Sequence, residues 1–158
     1  MKVKDVMTPN PKAIWLTESL ADAAKEMWEH DCGVLPIIKD GLKVVGMITD
    51  RDICMATALK DRSPSSISVE EVMNGVIYST EPEQDIEVAL ATMREHKVRR
   101  LPVLNANGEV EGMLSINDIV LKAKASNGKK PEQPYSELVK TLQAICSHSV
   151  NVAEATAG

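Results

Sequence analysis

The order of apolar and polar residues along the chain occurs twice. Sliding residues 3–53 by 66 positions lays them on residues 69–119 without a gap, so that Asp52 falls on Asp118. Self-similarity at a fixed period marks one supersecondary unit that is used more than once. The sequence therefore predicts two copies of one fold unit.

Each unit has the pattern of two helices and three short strands. In the first unit, a brief strand at 13–16 precedes a helix whose apolar residues recur at helical spacing after the N-cap Ser19. Two apolar runs, 34–38 and 44–49, are separated by a short turn and predict a pair of strands. A second helix then begins close to Asp52. The unit is thus β-α-β-β-α, and the fold class is α+β.

The second unit repeats these elements, with Asp85 as the N-cap of its first helix. Beyond this unit, Leu138, Leu142 and Ile145 fall on one face of a predicted C-terminal amphipathic helix. The predicted division is 1–62 and 69–125 for the two repeats, 63–68 for the linker between them, 126–134 for a connector, 135–148 for the amphipathic helix and 149–158 for a disordered tail.

The composition is that of an ordinary soluble globular protein, with 44% hydrophobic and 26% charged residues. Phe is absent and the chain has only two Trp and two Tyr, so its core must be aliphatic. The formal net charge is −5. It argues against a general electrostatic affinity for nucleic acid, which needs a dense basic face. No apolar run approaches the ~20 residues that a membrane span needs, and the N-terminus has no charged-then-apolar leader. We therefore expect a cytoplasmic protein that binds neither nucleic acid nor membranes.

The three cysteines, Cys32, Cys54 and Cys146, are an odd number without CxxC spacing. They form neither a disulfide framework nor a zinc signature, so no metal site is expected. Buried small hydrophobic residues are the simplest interpretation. The sequence leaves open whether two of them pair.

Several short motifs recur in the same order in both units. The first unit contains Asp-Val-Met-Thr-Pro at 5–9, Leu-Pro-Ile at 35–37 and Gly-Met-Ile-Thr-Asp-Arg-Asp at 46–52. The second contains Leu-Pro-Val at 101–103 and Gly-Met-Leu-Ser-Ile-Asn-Asp at 112–118. With these motifs the chain resembles a tandem CBS-domain protein of the short stand-alone bacterial type, in which two repeats pack as one Bateman module.

This resemblance implies two sheets packed face to face about a pseudo-two-fold axis, with two clefts between the repeats. It also implies a homodimer and a separate regulated protein, which the sequence does not identify. The ligands of such modules are adenosine compounds, chiefly AMP, ADP and ATP, and in some members S-adenosylmethionine or NAD. They act as effectors in a module that senses and regulates, so no obligatory cofactor and no catalysis are expected.

Two residue pairs are candidates for holding a ribose, namely Thr49 with Asp52 and Ser115 with Asp118. One carboxylate can accept both ribose hydroxyl protons in charge-assisted hydrogen bonds, which are stronger than neutral ones. A carboxylate is also favoured at a helix N-terminus by the helix dipole. The alternative is that both acids only begin helices and both hydroxyls only cap them.

The chemistry and the resemblance together predict two unequal sites. Site A is expected to contain Thr49, Asp52, Arg51, Ala13 and Ile14, with Arg99 and Arg100 reaching across from the second repeat to a phosphate. Site B is expected to contain Ser115, Asp118, Tyr78, Ser79, Thr80 and Lys12. The first unit has Gly33 and Val34 where the second has the two arginines, so site A is expected to bind phosphorylated ligands better. One arginine could simply be solvated, because side chains alternate along a strand.

Two other functions are compatible with parts of the sequence. A Cys–His pair such as Cys32 and His30 can form a nucleophile, but His30 recurs as His96 without a neighbouring cysteine. The chain also lacks the Walker, GxSxG and HExxH motifs, so we expect no enzyme activity. The remaining alternative is a dimerisation scaffold or protein-interaction module that binds no ligand.

Overall fold

The computed structural model of this protein describes residues 1–124, together with Glu137, Thr141, Leu142, Ala144 and Ile145. The predicted connector 126–134, the predicted tail 149–158 and Cys146 lie outside the described residues.

Both repeats have the predicted order of helices and strands, except that the first strand of the second repeat is reduced to a single bridge. The elements are β1 (Thr8–Pro9), β2 (Ile14–Trp15), α1 (Leu20–Glu29), β3 (Val34–Lys39), β4 (Lys43–Thr49), α2 (Asp50–Lys60), α3 (Ile86–His96), β5 (Arg100–Leu104), β6 (Val110–Ser115) and α4 (Ile116–Lys124). Ser19 is the N-cap of α1 and accepts a hydrogen bond from the backbone of Asp22, as its position in the sequence predicts. Asp85 is the N-cap of α3, but its carboxylate pairs with Lys2 at 3.0 Å and makes no capping hydrogen bond.

Each repeat has a three-stranded sheet, and the two sheets differ at one edge. In the first, β2 runs parallel to β3, and β3 runs antiparallel to β4. In the second, β1 is the edge strand and pairs with β6, in the order β1-β6-β5. The counterpart of β2 there is a single bridge between Thr80 and Val103. The second sheet therefore contains a strand from the opening segment of the chain.

The opening segments of the two repeats are exchanged. Val3 and Val6 are buried in the core formed by α3, β5, β6 and α4 of the second repeat. Ile67 and Val69 are buried in the core of the first repeat. Each core is thus completed by residues that precede the other repeat's helices, and neither repeat is a self-contained unit in sequence.

The two sheets meet through a small apolar cluster of Ile38, Val44 and Val110. The turns of the two hairpins also pair through their backbones. Val44 donates its N–H to the carbonyl of Gly108 at 3.0 Å, and Val110 donates to the carbonyl of Leu42 at 3.1 Å. Because Val44 and Val110 are counterparts in the repeat, this contact has the pseudo-two-fold symmetry that the resemblance implies.

The exchanged segments explain the glycine that stands before the methionine in each Gly-Met motif. A Cβ at Gly46 would lie 2.9 Å from the backbone oxygen of Asn74 and 3.2 Å from Sδ of Met73. The three atoms nearest to a Cβ at Gly112 would all belong to the flexible side chain of Met7. Both glycines therefore allow the opening segment of the other repeat to pack closely on a strand.

We expect Gly46→Ala to lower the free energy of unfolding by about 1–3 kcal/mol, the usual cost of overpacking. Gly112→Ala should cost less, because the thioether of Met7 can move whereas the backbone at Asn74 cannot. Urea unfolding of both variants measures the two costs. An equal or smaller cost at Gly46 would contradict this account of the backbone contact.

The described part of the C-terminal segment packs on the second repeat. Glu137, Thr141, Leu142, Ala144 and Ile145 are helical, at positions within the predicted amphipathic helix. Leu142 and Ile145 pack against the second core. Oε2 of Glu137 lies 2.6 Å from Nη1 of Arg94, and Thr141 is fully buried. These residues therefore cover α3.

Candidate functional site

Thr49 and Asp52 form a reciprocal hydrogen-bonded pair where β4 ends and α2 begins. Thr49 donates its backbone N–H and its hydroxyl to Oδ2 of Asp52, at 2.9 and 2.7 Å. In return, the backbone N–H of Asp52 donates to Oγ1 of Thr49 at 3.2 Å. Both side chains are half-buried. The strand end and the helix start are thus fixed in one conformation.

The second repeat has the same arrangement. Ser115 donates its backbone N–H and its hydroxyl to Oδ2 of Asp118, at 2.8 and 2.6 Å. The backbone N–H of Asp118 donates to Oγ of Ser115 at 3.2 Å. The two candidate ribose sites are therefore built alike at the carboxylate.

A capping box of this kind also starts α1, where it has no place in either predicted site. Ser19 donates its backbone N–H and its hydroxyl to Oδ2 of Asp22, at 3.1 and 2.6 Å. These hydrogen bonds hold the pKa of the exposed Asp22 below its usual value. The helix-capping role left open by the sequence is therefore real for Asp52 and Asp118, and it occupies one oxygen of each carboxylate.

The second carboxylate oxygen differs between the two sites. Among the described residues, no hydrogen bond involves Oδ1 of Asp52, whereas Oδ1 of Asp118 accepts a long hydrogen bond of 3.5 Å from the hydroxyl of Thr8. The counterpart of Thr8 is Asn74, whose side-chain oxygen accepts a hydrogen bond from Val76 at 3.0 Å. Sequence reasoning missed Thr8, because its role depends on the exchange of the opening segments.

Two of the residues predicted to line the pockets for the base have buried side chains. The side chain of Ile14 is 1% exposed and belongs to the first core, so only its backbone could face a ligand. Thr80 is 2% exposed, and its hydroxyl donates to Oε1 of Gln84 at 2.8 Å. Ala13 packs on the apolar cluster between the repeats, while Lys12 and Ser79 are exposed.

Tyr78 lies flat against His96 at the end of α3. The two ring centroids are 3.7 Å apart and the planes differ by 6°. Tyr78 remains 36% exposed, so the stack presents an aromatic surface to solvent. A nucleotide base can stack on an exposed aromatic side chain, and such stacking tolerates any base.

Arg100 belongs to the second repeat but lies against the first. The prediction that an arginine extends from one repeat to the site of the other needs such a position. Arg100 lines a cavity of about 510 Å³ together with Gly33, Asp50 and Ile53 of the first repeat. Asp52 does not line this cavity, although it is two residues from Asp50. Arg51, Arg99 and Arg100 are all exposed to solvent. The structure thus brings a cation from the second repeat to the start of α2.

Cys32 lines the same cavity and Cys54 is exposed, and both are free thiols. Burial raises the pKa of Cys32, and the nearby Arg100 opposes part of this rise. His30, the predicted neighbour in a catalytic pair, has its Nδ1 3.0 Å from the carbonyl oxygen of Glu26. The cysteine is therefore less acidic than a free thiol, whereas a nucleophilic cysteine has a lowered pKa.

Within the described part of the chain, no three His, Cys, Asp or Glu side chains are grouped as metal ligands would be. None of the helices in this part of the chain has the length and apolar character needed to cross a membrane.

Two stretches of the sequence, residues 3–58 and 69–124, match the CBS domain. The chain belongs to the CBS-domain family. It is 33% identical over 119 residues to the CBS domain-containing protein YhcV of Bacillus subtilis, covering 75% of this chain and 83% of that protein. It is 32% identical over 144 residues to Hypoxic response protein 1 of Mycobacterium tuberculosis, covering 91% of this chain and 93% of that relative.

Solved structures of CBS pairs have the same fold. The structure of Hypoxic Response Protein I with two coordinated zinc ions has a TM-score of 0.70 and 32% identity, covering 77% of this chain and 98% of that one. CBSX2 in complex with AMP has a TM-score of 0.68 and 26% identity, covering 78% and 96%. The CBS domain pair of protein MJ0100, in complex with 5′-methylthioadenosine and S-adenosyl-L-methionine, has a TM-score of 0.70 and 25% identity, covering 77% and 98%. The predicted CBS pair is confirmed.

Proposed function

We propose that this CBS pair is a regulatory module that binds an adenosine-containing ligand such as AMP, ADP or ATP and catalyses no reaction itself. The observation that supports the proposal most strongly is the doubled Thr/Ser–Asp pair. In both repeats a half-buried carboxylate is fixed at the end of a strand, with one oxygen held by the capping box. In the proposed complex, the other oxygen accepts the hydroxyls of a ribose.

Ligands of related proteins support the choice of an adenosine compound. CBSX2 was solved with AMP, and the MJ0100 pair was solved with two sulfur-containing adenosine compounds. These ligands share the adenosine group and differ in what is attached to its ribose. A site that recognises the ribose through one carboxylate fits all of them, so the attached group must be read by other residues.

We propose that Arg100, with Arg99 beside it, reads a phosphate in site A, which contains Thr49 and Asp52. The position of Arg100 against Asp50 and Gly33 supports this assignment, because it carries positive charge from one repeat to the other. In site B, the Tyr78–His96 stack supplies a surface for a base, and Thr8 competes for the carboxylate of Asp118. The two sites should therefore differ in their preference for phosphorylated ligands.

Thermal unfolding with a panel of ligands tests the proposed function. AMP, ADP, ATP, NADH and S-adenosylmethionine are each added to the whole chain at increasing concentration. A ligand present at 100 times its dissociation constant should add ~2.7 kcal/mol to the free energy of unfolding and raise the melting temperature. No shift with any adenosine compound would contradict the proposal and favour a scaffold that binds no ligand.

A further inference from the structure

The cavity of about 510 Å³ that Arg100 lines has more negative than positive side chains. Asp31 and Asp50 line it from the first repeat, and both are exposed. Arg51 and Arg99 do not line it, so Arg100 is the only cation among the described residues around the cavity. In the described part of the chain, Arg100 makes an ion pair with neither carboxylate. A ligand group that reaches Arg100 in this cavity therefore also approaches two carboxylates.

The backbone of Asp50 has a structural role that does not need an acidic side chain. Its N–H donates to the carbonyl of Gly33 at 3.2 Å, which joins the start of α2 to the segment before β3. The shift of 66 positions carries Asp50 onto Ile116 and Gly33 onto Arg99. There the N–H of Ile116 donates to the carbonyl of Arg99 at 3.1 Å, and the side chain of Ile116 is buried in the second core. The same link forms with an apolar residue, so the fold does not account for the charge of Asp50.

The side chain of Asp50 lies over Gly33. Its Oδ1 accepts a hydrogen bond from the N–H of Arg51 at 2.7 Å, and a Cβ at residue 33 would lie 2.9 Å from its Oδ2. An ordinary side chain at residue 33 would therefore displace the carboxylate. The first repeat has an acid and a glycine where the second has an apolar residue and the cation Arg99. These two differences together make the start of α2 more acidic than the start of α4.

We propose that Asp50 is a specificity-determining residue that restricts site A to adenosine compounds with no more than one phosphate; this inference rests on the proposed function. Arg100 provides one positive charge for a first phosphate. Each further phosphate adds negative charge beside Asp31 and Asp50, and the energy of this repulsion depends on distance and on the local dielectric. Site A therefore prefers AMP to ADP, and ADP to ATP.

The same carboxylate has the opposite effect on a ligand that is positively charged beside its ribose. S-adenosylmethionine has a cationic sulfonium and a cationic amino group, and its single carboxylate leaves it with a net positive charge. Asp50 attracts this ligand and repels the phosphates of ATP. Removing the charge of Asp50 should therefore change the affinities for the two ligands in opposite directions.

The test is calorimetric titration of the whole chain and of Asp50→Asn with adenosine, AMP, ATP and S-adenosylmethionine in the presence of EDTA. Asparagine keeps an oxygen that can accept from Arg51 and removes only the charge. ATP should bind roughly two- to fivefold more tightly to the variant, the range expected for one exposed charge. S-adenosylmethionine should bind more weakly by a similar factor. AMP should change less than ATP, and adenosine should not change.

Asp118→Ala is added to both proteins in a second set of titrations, so that the ribose carboxylate of site B is removed and site A is measured alone. The first set keeps the comparison valid if Asp118→Ala does not fold. Asp61→Asn is the matched control, because it removes one exposed acid from the other end of α2, outside the cavity. Asp61 has a φ of 48°, which asparagine also tolerates. This variant should leave the ratio of ATP to AMP affinity unchanged.

Three results would overturn the inference. The first is an unchanged ratio of ATP to AMP affinity in Asp50→Asn. The second is a change of the same sign for ATP and S-adenosylmethionine, as expected if Asp50 serves only the start of α2. The third is weaker ATP binding by Asp50→Asn when Mg²⁺ replaces EDTA, because the carboxylate would then hold the metal ion of the polyphosphate. Binding of adenosine with an unchanged ratio refutes this inference alone, whereas no binding of any probe contradicts the proposed function as well.

Discussion

Replacing Ile67 by alanine should lower the free energy of unfolding by about 2–5 kcal/mol, the usual cost of truncating a large buried aliphatic side chain. Ile67 is fully buried, and its carbonyl accepts a hydrogen bond of 2.9 Å from the backbone of Leu20 at the start of α1. Although it stands at the entrance to the second repeat in sequence, it belongs to the first core. The substitution should therefore destabilise α1 more than the helices of the second repeat.

Hydrogen exchange of backbone amides measures where the structure loosens. In Ile67→Ala, protection should fall more in α1 than in α3, while both helices still unfold in one global transition. Val76→Ala is the control, because Val76 lies in the same half of the chain and is 56% exposed. Loss of protection confined to α3 would contradict the exchange of the opening segments.

Asp52→Ala and Asp118→Ala should each weaken the binding of an adenosine ligand, and Asp52→Ala should have the larger effect on AMP. A hydrogen bond to a charged group contributes about 1.5–3 kcal/mol, which is roughly a ten- to hundredfold change in dissociation constant. Arg100 lies against the first repeat, and Thr8 already contacts Asp118, so the loss should be greater at the Asp52 site. Titration with AMP and with adenosine measures both effects.

Asp22→Ala is the matched control for these variants. It removes the same capping-box acid from α1, with hydrogen bonds of nearly the same length, at a position outside both proposed sites. It should lower stability like the other two substitutions and leave AMP affinity unchanged. Equal losses of AMP binding in Asp52→Ala and Asp118→Ala would refute the inequality of the sites. If neither variant lost AMP affinity, neither carboxylate would bind the ligand, and the proposed role of both would be wrong.

The repeat and its order of elements could be predicted because they depend on neighbours in sequence. Apolar spacing and caps such as Ser19 act within one or two turns of a helix, and the Thr49–Asp52 pair spans three residues. The exchange of opening segments could not be predicted. Residues 3–7 and 69–73 share the same apolar pattern, so nothing in the pattern says which core each segment enters.

In the candidate site, the paired Thr49–Asp52 and Ser115–Asp118 side chains could be predicted from the sequence, whereas the burial of the residues around them could not. β2 is only two residues long, too short for alternation to show that Ile14 points into the core. Thr80 was expected to contact a ligand, but its hydroxyl donates a hydrogen bond to the side chain of Gln84, just before α3. The contact of Thr8 with Asp118 joins residues 110 positions apart, so it depends entirely on tertiary packing.

A crystal structure of the protein with the adenosine compound that gives the largest thermal shift tests the central claim most directly. We predict that the ribose hydroxyls lie within hydrogen-bond distance of the carboxylate of Asp52 or Asp118. For a phosphorylated ligand, the phosphate should lie on the side of Arg99 and Arg100. A ligand bound elsewhere, with its ribose away from both carboxylates, would contradict the account.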